Sequence, residues 1–395
     1  MHPWEKGHWL PGVLCKNQIR QLINEGYIDG VNNFKKAADY SSLDLTLSDE
    51  GYRMKTGSIK PLGDQGLPYK GYLENKTLAE RLSVNSKGFF ELKAQVCYVF
   101  KLRERIARKL KNIYGMATAK SSVGRVDVIA RLIVDGMRQY EWLDPKLLKH
   151  ARAYMFLEVI PISFDVRVRP GISLSQLRLF YGEPDQSQIR DQDFIEHILI
   201  NSKDGKDYLS VDLTTTQVGG LDVSAFRASK PKEKEYVRLW HRKNMKRPDP
   251  CRCWCFDRAD SEKRLVLESG SFYILRSRER LALPSRVAVY ARPMDETLGE
   301  MRIHYAGFAH PYFGTGRIDK EGTPLIFEVR AHNVNVNFYH GERLARLNFY
   351  TMSEKPEKER EPTYNNQELK LSNFFDEWPK KLKYVDEESG RVEAA

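Results

Sequence analysis

The chain has 395 residues, 41% of them apolar, enough to fill two hydrophobic cores, and it lacks the run of about 18 apolar residues that a membrane-spanning helix needs. Its formal net charge of +11 calls for an anionic partner, which can be nucleic acid, a membrane face or a phosphorylated small molecule. Five cysteines, an odd number with three crowded at Cys251, Cys253 and Cys255, argue against a disulfide framework, so reduced thiols are expected.

The opening Met1-His2-Pro3-Trp4-Glu5-Lys6 has no cationic segment leading into an apolar one, so a secretory signal is not read here and a cytosolic protein is expected. Residues 13 to 29 predict a short helix, with Ile19, Leu22 and Ile23 at helical spacing and Gly26 ending it. Beyond it most segments are short and β-branched or aromatic, broken by Gly, Pro, Asn or Asp at strand-and-turn intervals. The chain also repeats itself. Phe156-Leu157-Glu158-Val159 is answered by Ile326-Phe327-Glu328-Val329, and the same 13 positions separate Glu158 from Gly171 and Glu328 from Gly341. Ser42-Leu43-Asp44-Leu45 pairs with Ser210-Val211-Asp212-Leu213, and Cys97-Tyr98-Val99-Phe100 with Phe272-Tyr273-Ile274-Leu275. The expected architecture is mainly β: two tandem copies of one closed domain, each a distorted barrel or jelly-roll sandwich, with few short helices.

Residues 1–181 form the first copy in this reading, 182–206 a polar linker and 207–352 the second copy, with 226–264 as a basic insertion. Residues 353–395 begin with a charged run that cannot build a core and read as a solvated tail, within which Leu371 to Leu382 can dock on the body or a neighbour.

Four stretches can carry chemistry. The basic run Lys101 to Lys111 leads towards Lys120-Ser121-Ser122-Val123-Gly124-Arg125, where two hydroxyls, turn amides before Gly124 and flanking cations supply what phosphate oxygens need; a capped turn is the plainer alternative. Glu158 and Glu328 sit in apolar runs, so each faces either solvent or a dry cavity, or pairs with an arginine. A carboxyl in a dry cavity has a raised pKa and suits proton transfer near neutrality. Cys251, Cys253 and Cys255 lack the paired Cys-x2–4-Cys spacing of tetrahedral zinc sites and read as a loop, so no metal site is expected. His304-Tyr305-Ala306-Gly307-Phe308-Ala309-His310-Pro311 describes a tight hairpin whose backbone can approach a flat ring; the first copy has Ile133-Val134-Asp135-Gly136 instead.

Lys-Ser-Ser-Val-Gly-Arg-Val-Asp-Val, the Leu-Glu strand followed by Val-Arg-Pro-Gly, Ser-Ser-Leu-Asp-Leu and His-Tyr-Ala-Gly-Phe-x-x-Pro together resemble dCTP deaminase of the dUTPase-like superfamily, in its long two-domain bacterial form, over roughly residues 13 to 352. The resemblance implies two dUTPase-like distorted β-barrels and hydrolytic loss of ammonia from C4 of the cytosine of dCTP, giving dUTP without catalytic zinc. It implies a glutamate as general acid and base at Glu158 or Glu328. It places the phosphates, with Mg2+ on the triphosphate, at Lys120, Ser121, Ser122, Gly124 and Arg125. His304, Tyr305, Ala306, Gly307 and His310 would then meet the nucleoside, and a homo-oligomer with shared sites is expected, with neither membrane nor nucleic acid as partner.

Glu296 to Glu300 put acid where the second copy's phosphate segment belongs, which repels a triphosphate. A composite site is therefore expected, with Lys120 to Arg125 from one copy and Ala306, Gly307 and Glu328 from another copy, in the same or an adjacent chain. The rival arrangement keeps Glu158 catalytic with Asp135 near the sugar. His310 stands where single-domain relatives carry an aspartate. Other readings are a dUTPase-type pyrophosphatase, a deaminase of another pyrimidine nucleotide, or a non-catalytic nucleotide-sensing or nucleic-acid-binding protein.

Overall fold

The structure is a computed structural model that describes residues 2–63, 67–201, 207–231, 235–241, 245–293, 301–303, 307–315, 321–358, 364–365 and 367–395. The predicted helix is Lys16–Asn24; Ile19 and Leu22 are buried, and the Gln18 side chain returns to accept from the Cys15 amide.

The first large sheet runs in the order Trp142–Leu143, Ile113–Ala119, Ser173–Tyr181, Ser42–Met54, Tyr98–Ala107, Arg152–Pro161, Val128–Val134. Strand Ser42–Met54 pairs with Ser173–Tyr181 through Leu43 to Thr46 and with Tyr98–Ala107 beyond Leu47, so one bent strand serves both sides of the fold. The second large sheet repeats the plan, with Tyr208–Asp212 between Phe272–Leu281 and Arg343–Thr351, and Thr323–Ala331 against Phe272–Leu281. The repetition reaches single residues: Glu158 lies opposite Val99, and Glu328 opposite Ile274, the residues the sequence repeat makes equivalent. Each half also keeps a buried glutamate that accepts from its opening strand, Glu104 from Thr46 and Glu279 from Ser210. The mainly β, barrel-like reading of the chain therefore holds.

The two halves share a third apolar cluster. Val13, Met116 and Phe180 of the first meet Tyr290, Tyr350 and Met352 of the second, with Phe180 and Tyr350 edge to face at 5.2 Å. Arg178, fully buried, crosses this seam, donating to the Val289 carbonyl at 2.9 Å and lying 3.9 Å over the Phe308 ring.

Three segments expected to be irregular have structure. In the linker stretch, Gln192–Ile198 is helical, capped by Asp191, which accepts from the Phe194 amide. The ends of the basic insertion belong to the second barrel, Ala225–Ala228 pairing with Trp254–Asp257, and Cys251 and Cys253 sit in the helical turn Pro250–Cys253 rather than in a loop. Between them a strap crosses to the first half, where Val237–Arg238 runs parallel to Val166–Val168. In the final segment Leu369, Leu371, Phe374 and Phe375 are buried in the main core, and Leu382–Asp386 forms a hairpin with Arg391–Ala394.

Candidate active site

Strand Ile113–Ala119 ends at Lys120, whose amide bonds Leu174, and the chain then turns through Ser121–Gly124. The carbonyl of Lys120 accepts from Val123 and Gly124, which leaves the amides of Ser121 and Ser122 at the open start of the turn. Lys120 pairs with Asp44 at 2.5 Å and stays partly exposed.

Strand Thr323–Ala331 of the second half approaches this turn. Its alternation puts Glu328 and Arg330 on one face. Glu328 packs on Gly124 and is 1% exposed, and neither of its oxygens accepts a hydrogen bond among the described residues. Burial raises its pKa well above the usual carboxylate range; Arg125 opposes that rise and Asp127 adds to it. Arg330 bonds Asp127 and, at 2.9 Å, the Ser163 hydroxyl, so two i, i+2 pairs from different halves interlock.

Arg125 is fully buried beneath the C-terminal segment. It donates to Gln367 Oε1 at 2.6 Å and to the Lys370 carbonyl at 3.2 Å, and its guanidinium stacks 4.2 Å from the Tyr364 ring. Burial pulls its pKa down. The Ser372 hydroxyl donates to the Ser122 carbonyl at 2.6 Å, which ties the same segment to the turn.

These pieces surround a cavity of about 570 Å³. Lys120, Ser121, Ser122 and Arg125 line it from the first half, and Glu328, Phe308, Ala309 and His310 from the second. Leu239, Trp240 and His241 of the strap close a further side, with Phe374 stacked on His241 at 5.0 Å. His310 Nδ1 lies 3.0 Å from the Ser41 hydroxyl. Gly307 donates no side chain because there is no room for one: a Cβ would stand 2.6 Å from the Ala291 carbonyl oxygen. His304, Tyr305 and Ala306, expected at the nucleoside, lie outside the described residues, as do Glu296 to Glu300.

Glu158 and Asp135 do not line this cavity. Glu158 accepts from Arg131 Nε at 2.9 Å and Nη2 at 2.5 Å, from the Tyr140 hydroxyl at 3.2 Å and from Ser58. Asp135 accepts from the Tyr69 amide at 2.9 Å, and burial raises its pKa. The repeated glutamates thus occupy opposite environments, one accepting from several donors and one from none among the described residues.

Sequence reading missed Asp127, Arg330, the strap and Gln367. Only the first two left a signal, the alternation Arg125-x-Asp127 facing Glu328-x-Arg330.

The family model described as the N-terminal domain of 2'-deoxycytidine 5'-triphosphate deaminase matches residues 10–183, and that of the C-terminal domain matches residues 185–375. No curated protein sequence matches the chain. Among solved structures, 2'-deoxycytidine 5'-triphosphate deaminase from Agrobacterium tumefaciens is similar, with a TM-score of 0.76 and 26% identity over 88% of this chain and 97% of that one. With both domain models end to end over nearly all of its length, and a solved dCTP deaminase superposing on both barrels, the chain belongs to the dCTP deaminase family.

Proposed function

We propose that this cavity binds dCTP and that Glu328 moves the protons in its hydrolytic deamination to dUTP and ammonia. The carrying observation is the contact of Glu328 with Gly124, which puts a buried carboxyl of one half, accepting no hydrogen bond among the described residues, on the phosphate-type turn of the other, within one chain.

In the ionised form Glu328 takes a proton from water as the oxygen attacks C4, and delivers it to N3 of the ring. A second proton passes from the new hydroxyl through the same carboxyl to the amine, the C4–N bond breaks, and ammonia leaves. The raised pKa brings the carboxyl towards solution pH, where it can serve in both directions. Ser121 and Ser122, with their amides and the partly exposed Lys120, face the triphosphate, and Mg2+ enters as part of that substrate. Arg125 is held by Gln367 and Lys370, so its charge acts on Glu328 rather than on the phosphates. His310, fixed near Ser41, stands at the sugar. Glu158 is a structural partner of Arg131.

Incubating the protein with dCTP, CTP, dCMP and dUTP separately, with magnesium, tests this. Ammonia and dUTP from dCTP are expected. Pyrophosphate released from dUTP would favour the dUTPase-type reading, and binding without product the sensing one.

A further inference from the structure

We infer that the strap of the second half and the strand it pairs with form a second anion site, separate from the cavity above, that takes a polyphosphate group. In the small sheet Phe90–Leu92, Val166–Val168, Val237–Arg238, the residues Glu91, Arg167 and Arg238 stand in one row, register partners on neighbouring strands. Partners in register share a face of the sheet. One carboxylate therefore serves two guanidiniums, and it is taken: Arg167 donates to Glu91 through Nε at 3.0 Å and Nη2 at 2.6 Å. Arg238 is left beside a like charge, an arrangement that destabilises a sheet unless an anion lies over it.

A pocket of about 570 Å³ opens at this row, lined by Arg167, Arg238, Lys246 and Arg247 against only Glu91 and Glu235. Among the described residues, Arg238, Lys246 and Arg247 pair with no carboxylate. The two arginines reach carbonyls instead, Arg238 that of Lys246 at 3.4 Å and Arg247 that of Phe375 at 3.5 Å, which satisfies donors without neutralising charge. Arg167 is held in place between the rings of Tyr236 at 4.4 Å and Phe89 at 4.9 Å, so its orientation costs nothing further on binding. The row lies outside the cavity, which Leu239, Trp240 and His241 line and Arg238 does not; a small pocket lined by Arg238, Lys246 and Arg247 on one side and by Trp240, His241 and Phe374 on the other lies between the two. Three unneutralised cations around one concave pocket suit a chain of phosphates better than a single carboxylate, because each guanidinium can chelate two oxygens.

The test titrates inorganic tripolyphosphate into the full chain by calorimetry at about 150 mM salt, where loose surface charge is screened. Saturable binding is expected that Arg238→Ala weakens about tenfold or more, the effect of losing one charge-assisted hydrogen bond, and that Lys120→Ala leaves in place. Thermal unfolding supplies the second readout: without anion, Arg238→Ala holds or raises the Tm, and it loses the Tm rise that tripolyphosphate gives the unaltered chain. Repeating the titration with a nucleoside triphosphate separates recognition of the phosphates alone, seen as equal affinity, from a contribution of the base. Binding unchanged in Arg238→Ala, binding wholly lost in Lys120→Ala, or a Tm lowered by Arg238→Ala without anion would each overturn the assignment.

Discussion

A Cβ placed on Gly124 would stand 2.1 Å from Oε2 of Glu328 and 2.8 Å from its Cδ. The two residues come from different halves of the chain, and the carboxyl lies against the turn at the wall of the cavity, with its residue 1% exposed. Gly124→Ala should therefore fold but push the carboxylate out of place. Overpacking of this kind costs about 1–3 kcal/mol, and deamination of dCTP is expected to fall at least about a hundredfold, the share typical of a positioned acid–base group. Turnover by Gly124→Ala close to that of the unaltered chain would separate the turn from the chemistry.

Glu328→Gln removes a buried carboxyl that accepts no hydrogen bond among the described residues. The folded-state pKa of Glu328 is raised, so the native state holds a proton that the unfolded chain releases above about 4.5. Stability of the unaltered protein therefore falls as pH rises from that value towards the folded pKa, by about 1.4 kcal/mol for each unit between them. Glu141, pushed up to about 8 by burial, behaves alike in both proteins and cancels. Thermal unfolding from pH 4.5 to 8 should show the Tm of Glu328→Gln gaining on that of the unaltered chain; parallel curves would contradict a buried, unpaired carboxyl.

Asp127 is fully buried and bonds Arg330 across the halves. Its φ of +59° suits asparagine, so Asp127→Asn tests the charge rather than the backbone. Breaking a buried pair from one side costs about 3–5 kcal/mol, which a lowered Tm would register. Asp127 also raises the pKa of Glu328, so its loss should move the acidic limb of the pH–rate profile to lower pH. An unmoved limb would mean that Glu328 does not set it.

Gln367→Ala deprives the buried Arg125 guanidinium of its 2.6 Å acceptor. A hydrogen bond to a charged group contributes about 1.5–3 kcal/mol, so chemical denaturation should show a loss of that size. A midpoint equal to that of the unaltered chain would show that the C-terminal segment is not held there.

Much of this was legible in the sequence because repetition and alternation leave periodic marks. The pairing of Val99 with Glu158 and of Ile274 with Glu328 follows from two aligned strands, and the family motifs led to Lys120 and Arg125. What distinguishes Glu328 from Glu158 was not legible. Arg131 beside Glu158 is 27 positions away on a neighbouring strand, and nothing local says that Glu328 has no such partner among the described residues. The contacts of Arg125 with Gln367 and of Ser122 with Ser372 span 242 and 250 positions, and a polar residue in a charged segment carries no sign of its partner. The strap was read as a basic insertion because its pairing edge is two residues long, too short for a β pattern.

The composite site is tested most directly by measuring ammonia release from dCTP by Glu328→Gln and Glu158→Gln in parallel, each first shown to be folded. Glu328→Gln should lose turnover by a factor of about 10² to 10⁴ while holding its stability. Glu158→Gln should lose stability as Arg131 loses its carboxylate partner, yet keep turnover wherever it remains folded. Loss of turnover in folded Glu158→Gln with activity retained in Glu328→Gln would place the chemistry in the first half and contradict the account.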